Sequence, residues 1–355
     1  MTPISICVIA KNEEKHMDNF LSAIKKHMRN YPHEVVIVDT GSTDRTVDIA
    51  RKYTSKVFHF EWINDFSAAR NYSIECASFN WILVLDCDEY PVNIRTECFD
   101  QMIKQYPRSV GSIQLLNHCW TNGQDRILNG EVPRFFSKKR FHYEDIIHEQ
   151  LCSIDRQPYD IITLPITVEH FGYSGSAEAL QAKAQRNNEL LFKALEVTPD
   201  DPYLYFQIGQ SYNLINDAEN ACIYFEKALS YDINPEYEYA HQLIQAYGYV
   251  LLDLHRYEDA LHLESVYDAF GVTPEFSCLM GLIYLNNKQF IPAMREFLKA
   301  TTYQTAEVDG ANTYTPLYNM GYINELLGNK EAAIQLYESC GNHAPALRRL
   351  ANLKS

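Results

Sequence analysis

In four places beyond residue 200 a glycine is followed twelve positions later by an alanine: Gly209 and Ala221, Gly248 and Ala260, Gly281 and Ala293, Gly321 and Ala333. Small residues at a fixed offset let two helices approach closely, so this spacing predicts a run of helix pairs. The fullest copies are DPYLYFQIGQSYNLINDAENACIYFEKAL, with Tyr212, Phe225 and Ala228, and PEFSCLMGLIYLNNKQFIPAMREFLKA, with Tyr284, Phe297 and Ala300. The glycines stand 39, 33 and 40 residues apart, so the array is irregular. A single pair cannot bury its apolar face, whereas stacked pairs share a continuous core. Residues 200–355 are therefore expected to form an all-α solenoid, led in by a linker helix within 173–199 that contains AEALQAKAQRNNELLFKALEV.

The first half has a different rhythm. From residue 1 to 172 short apolar runs alternate with helical patterns. The runs ISICVIA (4–10), EVVIVD (34–39), KVFHFEW (56–62) and WILVLD (81–86) are strand candidates. Met17, Phe20, Leu21, Ile24 and Met28 fall on one helical face between the first two. Ser42 or Thr43 is expected to cap the helix after the second strand, with Val47, Ala50 and Tyr53 inward, and Ser67 the helix through Cys76. Strands separated by single helices predict an α/β domain with a parallel sheet and right-handed crossovers. Ligands of such sheets bind beyond the carboxyl ends of the strands. Three polar segments converge there: Ala10–Glu14, Asp39–Asp44 and Asp86–Glu89.

The most pointed of these is WILVLDCDEYP, in which a buried strand runs into Asp86, Asp88 and Glu89. Clustered carboxylates repel unless a positive charge sits among them. Residues i and i+2 of an extended segment face the same way, so Asp86 and Asp88 together can grip a hard cation such as Mg2+ or Mn2+. Asp39 ends a strand and can hold a base edge or ribose hydroxyl of a nucleotide. The Gly-Ser-Thr turn after it opens a helix and exposes amides to an anion. In DFSAARN, Arg70 and Asn71 fall near the same strand ends; Arg70 suits either a pyrophosphate or one of the crevice acids.

The order VIAKNEE, VIVDTGSTDRT, DFSAARN, WILVLDCDE resembles the family 2 glycosyltransferases with the GT-A fold, over residues 1–172. The repeats after it are similar to tetratricopeptide arrays. The resemblance implies that a nucleotide-sugar lies across the strand ends, bordered by Ala10, Asn12, Glu13, Glu14, Asp39, Ser42, Arg70, Asp86 and Cys87. It gives Asp39 the nucleotide base, Asp86 the ribose or sugar, and Asp88 the metal, Mn2+ or Mg2+. It also implies an inverting reaction, hence a β-linked product from an α-linked donor. The segment FHYEDIIHEQL offers Glu144, Asp145, His148 and Glu149. Within the resemblance His148 is a second metal or diphosphate ligand, and Glu149 or Asp145 the base. Arg134 in PRFFSK, His170 in VEHFGY and Arg186-Asn187 on the linker helix are further polar groups within reach. The segment 117–130 is expected to supply loops around the sugar.

Such a transferase joined to repeats is similar to the glycocin-type peptide S-glycosyltransferases of bacteria, and equally to enzymes that build surface glycans or lipopolysaccharide core. The expected function is transfer of a glucose- or N-acetylglucosamine-type sugar from a UDP-sugar to an acceptor, with a peptide or protein side chain favoured. The tyrosine-rich repeats, with Tyr237, Tyr239, Tyr247 and Tyr249 close together, are the expected surface for a peptide or for a homodimer partner. A nucleotidyltransferase would carry a glycine-rich basic loop after its first strand, and VIAKNEE has none. A binding scaffold with an inactive transferase domain would carry a broken DxD, and here it is intact.

Composition sets the outer limits. The balance of 31 basic against 46 acidic residues, a formal charge of −15, argues against a general nucleic-acid binder. Nine cysteines, an odd number without a CxxC pair, suit free thiols in a reducing compartment. ISICVIA is too short for a leader, and no apolar run is long enough to cross a bilayer. The expected location is cytoplasmic.

Overall fold

The computed structural model describes residues 1–121, 124–173 and 177–354. The chain divides into two compact units, residues 1–176 and 177–355.

The first unit is built on an eight-stranded sheet in the order β3-β2-β1-β4-β7-β6-β10-β5. Its strands are β1 (Ile4–Ala10), β2 (His33–Asp39), β3 (Val57–His59), β4 (Trp81–Val84), β5 (Glu89–Ile94), β6 (Val110–Thr121), β7 (Gln124–Ser137) and β10 (Ile161–Tyr173). β8 (Phe141–Glu144) and β9 (Gln150–Ser153) form a separate hairpin. Between strands lie the helices α1 (Glu14–His27), α2 (Thr46–Ala50), α3 (Phe66–Cys76) and α4 (Glu97–Gln105).

Strands β1 to β4 pair in parallel, as their single-helix connections require. The other half departs from the expected parallel sheet. β7 runs antiparallel to both β4 and β6, and β10 runs antiparallel to β5, so the sheet is mixed. For β6 and β7 the reason is local: only two residues separate them in sequence, and so short a connection suits only antiparallel neighbours. The segment 117–130, expected as loops, lies largely within these two strands. The third strand is also shorter than expected, three residues instead of seven.

The face of α1 reads as the spacing required: Met17, Phe20, Leu21, Ile24 and Met28 are all buried, with Ile4, Ile6 and Val8 of β1 in the same core. Helix starts differ from expectation in detail. Asp65, not Ser67, caps α3, its Oδ1 accepting from the Ala68 amide at 2.8 Å. Ser67 lies inside the helix and gives its hydroxyl to the Asp145 carbonyl at 2.6 Å. α2 has no side-chain cap, and neither Ser42 nor Thr43 begins it.

The second unit is helical. α5 (Ala177–Val197) precedes four helix pairs: α6 (Pro202–Leu214) with α7 (Ala218–Leu229), α8 (Glu238–Asp253) with α9 (Tyr257–Ala260), α11 (Pro274–Asn286) with α12 (Phe290–Ala300), and α13 (Tyr314–Leu326) with α14 (Lys330–Ser339). After α9 the second pair continues as a 3-10 segment, Leu261–Val266, and α10 (Tyr267–Phe270). α15 (Ala344–Lys354) ends the described chain. The predicted close approaches are present. A Cβ on Gly209 would stand 2.4 Å from the Phe225 ring, on Gly281 2.6 Å from Phe297, and on Gly321 2.7 Å from Tyr337. Ala221, Ala260, Ala293 and Ala333 are fully buried. Among the described residues no helix is long and apolar enough to cross a membrane, and the eight cysteines whose side chains are described are free thiols.

Candidate active site

The sheet order changes direction between β1 and β4: β2 and β3 follow β1 on one side, β4 lies on the other. This is where an open α/β sheet leaves a crevice beyond its strand ends. Three loops meet there. In register, Ala10 of β1 pairs with Asp39 of β2, and Cys7 of β1 with Val84 of β4, so the residues after each strand emerge together.

The loops after β1 and β2 are stitched by hydrogen bonds. The Asn12 amide donates to Ser42 Oγ at 2.9 Å, and Asn12 Oδ1 accepts from the Thr43 amide at 2.8 Å. The Glu13 amide donates to Thr46 Oγ1 at 2.6 Å. Asn12 adopts φ +57°, a left-handed conformation that asparagine tolerates better than most residues. Gly41, at φ +102°, turns the chain so that its amide and that of Ser42 reach the Asp39 carboxylate at 3.2 and 3.1 Å. Asp39 is 7% exposed, and His59 Nδ1 stands 3.6 Å from its Oδ2. Asp39 is thus held as a fixed acceptor at the rim.

The loop after β4 is a charged knot. The Glu89 amide donates to the Asp86 carbonyl, and the Asp86 amide to Glu89 Oε2, each at 3.0 Å. The segment is therefore a turn and not the extended stretch expected, and Cys87 within it is 3% exposed and packs into the sheet core. Arg70 grips Asp86 through two bonds, 2.9 and 3.1 Å, and also binds Glu149 through Nε. Arg134 Nη2 reaches Asp86 at 3.1 Å and Glu89 at 2.5 Å. Burial would raise the Asp86 carboxyl, but the two guanidiniums outweigh it and hold it well below the usual carboxylate range. Burial lifts Glu89 above its usual value against the pull of Arg134. For Glu149 burial is again opposed by Arg70, which wins and leaves the carboxyl low. Tyr143 lies 5.7 Å from the Arg70 guanidinium, and burial pushes its hydroxyl up to about 12. Among the described residues the Tyr143 hydroxyl and Arg134 Nε are buried without a hydrogen-bond partner.

Asp88 stands apart from this knot. Its carbonyl accepts from the Phe171 amide at 3.1 Å, and its Oδ2 lies 3.4 Å from His170 Nε2. His170 arrives by strand pairing, opposite Glu89 of β5 and opposite Asn117 of β6. His148 is on the turn between β8 and β9, where it and Asp145 adopt φ +53° and +71°. That turn docks on the start of α3 through the Ile146 and Asp145 carbonyls, which accept from Phe66 N and Ser67 Oγ. Asp145 is exposed, whereas the Glu149 carboxylate is tied to Arg70. Asn71 serves the same hairpin, exchanging two bonds with the Tyr143 backbone at 2.8 and 2.9 Å. Of the expected residues, Arg70, Arg134, Asp86, Glu89 and Glu149 are joined directly, and His170 is the imidazole against Asp88. Asn117, which no local pattern marks, is part of the same group.

Among the described residues no set of three His, Cys, Asp or Glu side chains forms a ready metal cage. Asp88 with His170 offers one oxygen and one nitrogen donor. Such a pair fits a divalent cation that takes its remaining ligands from a bound diphosphate and water, the usual arrangement for Mg2+ or Mn2+ beside phosphates.

Residues 5–153 match the model of the glycosyl transferase family 2, and residues 202–233 and 314–340 match the tetratricopeptide repeat. A TPR repeat-containing protein of Synechococcus elongatus is 29% identical over 222 residues, covering 59% of this chain and 52% of that protein. The SPbeta prophage-derived glycosyltransferase SunS of Bacillus subtilis is 29% identical over 238 residues, covering 64% of this chain and 54% of that one. The chain spans about half the length of the curated relatives it matches. The sheet unit, with its crevice of Asp39, Asp86 and Asp88, thus carries the match to the glycosyl transferase family 2 model, and the helical unit carries the matches to the tetratricopeptide repeat.

Proposed function

We propose that this chain transfers a sugar from a UDP-sugar to an acceptor, with inversion at the anomeric carbon. The observation that carries the reading is the placement of Asp39, Asp86 and Asp88 at neighbouring strand ends, with Asp86 neutralised by two arginines and Asp88 left to face His170. Asp39, Ala10, Asn12, Glu13 and Ser42 would border the nucleoside. Asp86, with Arg70 and the Cys87 backbone, would border the ribose and sugar.

Asp88 and His170 would hold the divalent cation, Mn2+ or Mg2+, whose chemistry is to neutralise the charge left on the departing diphosphate. His148, on the β8–β9 turn, remains the candidate for a second metal or diphosphate ligand. In the transfer the acceptor atom bonds to the anomeric carbon as the bond to the diphosphate oxygen breaks. The bonding electrons leave with UDP, and the acceptor proton passes to a carboxylate. Glu149 and Asp145 remain the candidates for that base. Glu149 is engaged by Arg70, so a basic role for it requires Arg70 to shift toward the incoming diphosphate.

The repeats support a peptide or protein acceptor, since stacked helix pairs offer an extended surface. The similarity to peptide S-glycosyltransferases points the same way, and a glucose- or N-acetylglucosamine-type sugar is the expected cargo. The test is a melting-temperature panel with UDP, GDP and CMP, each with and without Mn2+. Ligands that bind only the folded chain raise its melting temperature. A rise with UDP that requires Mn2+ and vanishes in Asp88→Asn supports the proposal. No rise with any nucleotide, in a chain that melts cooperatively, overturns it in favour of a repeat scaffold with an inactive domain.

A further inference from the structure

We propose that the face of α11 headed by Glu275 is a docking surface for an extended basic segment of a partner protein, and that residues 301–313 are a strap occupying it until such a segment binds. The surface is independent of the sugar-transfer reading, since its test reads binding alone.

The connection between α12 and α13 has thirteen residues, where the two earlier connections between helix pairs have eight and three. Connections of this length in a compact array more often carry function than simply join elements. The first helices of successive pairs, α6, α8, α11 and α13, pack on one another, so α11 stands within a continuous row. The long connection folds back onto it. Glu275 Oε1 accepts from the Glu307 amide at 2.7 Å and from the Val308 amide at 3.0 Å. One turn along α11, the Cys278 thiol donates to the Ala311 carbonyl at 3.1 Å. Glu275 and Cys278 are three residues apart and so share one side of the helix. They are 5% and 2% exposed with the strap in place. Asn312 Nδ2 donates to the Tyr303 carbonyl at 3.0 Å and ties the ends of the strap together.

All three bonds from the strap to α11 use its main chain. No side chain of 301–313 is needed for them, so the amides of another extended segment can take their place. Charge names that segment. Residues 177–355 hold 12 basic against 23 acidic residues. Closing the strap also brings the Glu307 carboxyl toward Glu275 and toward Glu238, the first residue of α8. Burial and these two charges push Glu307 above its usual value, with His241 pulling the other way. The closed strap is therefore held against like-charge repulsion. A segment bearing lysine or arginine would give Glu275 its amides and meet Glu238 and Glu275 with the opposite charge.

The experiment measures octalysine binding to the full chain by calorimetry at fixed ionic strength, with octaglutamate as control. Hydrogen–deuterium exchange of residues 301–313 is read on the same samples. Octalysine is expected to bind and to speed exchange across 301–313, and octaglutamate to do neither. Val308→Pro removes one strap amide and leaves every charge in place. It is expected to bind octalysine about tenfold more tightly, the population shift that loss of one charge-assisted hydrogen bond allows. Adding Glu275→Gln to Val308→Pro is expected to reverse that gain. Should Val308→Pro not melt cooperatively, Glu307→Pro carries the same expectation. Octalysine binding without any change in exchange at 301–313 places the contact elsewhere on an acidic chain and overturns the proposal. Native affinity in Val308→Pro does so too, since the strap is then a structural tie only. Binding of octaglutamate in place of octalysine, or of neither peptide, likewise overturns it.

Discussion

Arg70 and Asp86 meet edge to edge, guanidinium Nη1 on Oδ1 at 2.9 Å and Nη2 on Oδ2 at 3.1 Å, while Arg70 Nε binds Glu149. One side chain of α3 therefore ties the loop after β4 to the end of the β8–β9 turn. The pair is what allows an acidic strand end to exist in the apo protein. It also means that the first carboxylate of the DxD is neutralised by two arginines, while the second faces His170.

Removing Arg70 strands the Glu149 carboxylate and leaves Asp86 with Arg134 alone. Arg70→Met is expected to cost about 3–5 kcal/mol of stability, because the charges left behind lose their partner. Arg70→Lys keeps the charge but not the paired geometry, and should fall between the two. Urea unfolding of the three proteins checks the order.

Asp88 is bonded to neither arginine, so Asp88→Asn should lower the melting temperature of the ligand-free chain less than Arg70→Met does. The same substitution is expected to abolish sugar transfer and the Mn2+-dependent response to UDP. Melting with and without ligand, beside a turnover assay, reads both.

The two base candidates differ in what else they do. Glu149→Gln disturbs Arg70 and should lower both stability and turnover. Asp145→Asn, at an exposed turn, should leave stability nearly unchanged. If turnover falls steeply in Asp145→Asn while UDP still binds, Asp145 is the base; if it survives there and is lost only in Glu149→Gln, the role belongs to Glu149.

At the opposite end of the sheet Glu34 accepts from Ser5 Oγ and the Ser78 amide at 2.6 Å each and from Lys56 Nζ at 2.5 Å. Burial would raise its carboxyl, but these partners outweigh burial and hold it below the usual range. A carboxyl lowered by folding stabilises above its unfolded value, about 4.3, and loses that contribution as pH falls through the folded value. The melting temperature should therefore drop on acidification below about pH 4.3, and less so in Glu34→Gln.

In the repeats the glycines are under steric constraint. Gly209→Ala forces a methyl into the Phe225 ring, 2.4 Å away, and is expected to cost about 1–3 kcal/mol. Combining it with Phe225→Leu should recover part of the loss. A cycle of the four proteins by chemical unfolding measures the coupling.

Much of this was legible from local pattern. Runs of apolar residues marked β1, β2 and β4, a helical stripe marked α1, and the glycine–alanine offset marked the helix pairs. These signals work because each element must bury one face, and its period shows in consecutive residues. The cluster at the crevice was legible as well, since carboxylates at the end of a buried strand have no packing purpose.

What only the tertiary structure decided is which polar groups meet. Arg70 could have reached a pyrophosphate or an acid, and the fold sets it on Asp86 and Glu149. His148 and His170 each sit in an apolar alternation, but it is His170 that β10 carries to Asp88. The Asn117–His170 bond joins residues 53 apart through the pairing of β6 with β10. Strand pairing of this kind leaves no periodic trace in sequence, because it depends on which edges are free once the first four strands have packed. The sequence determined where strands and helix pairs would form and where charge would gather; sheet order decided which charges became partners.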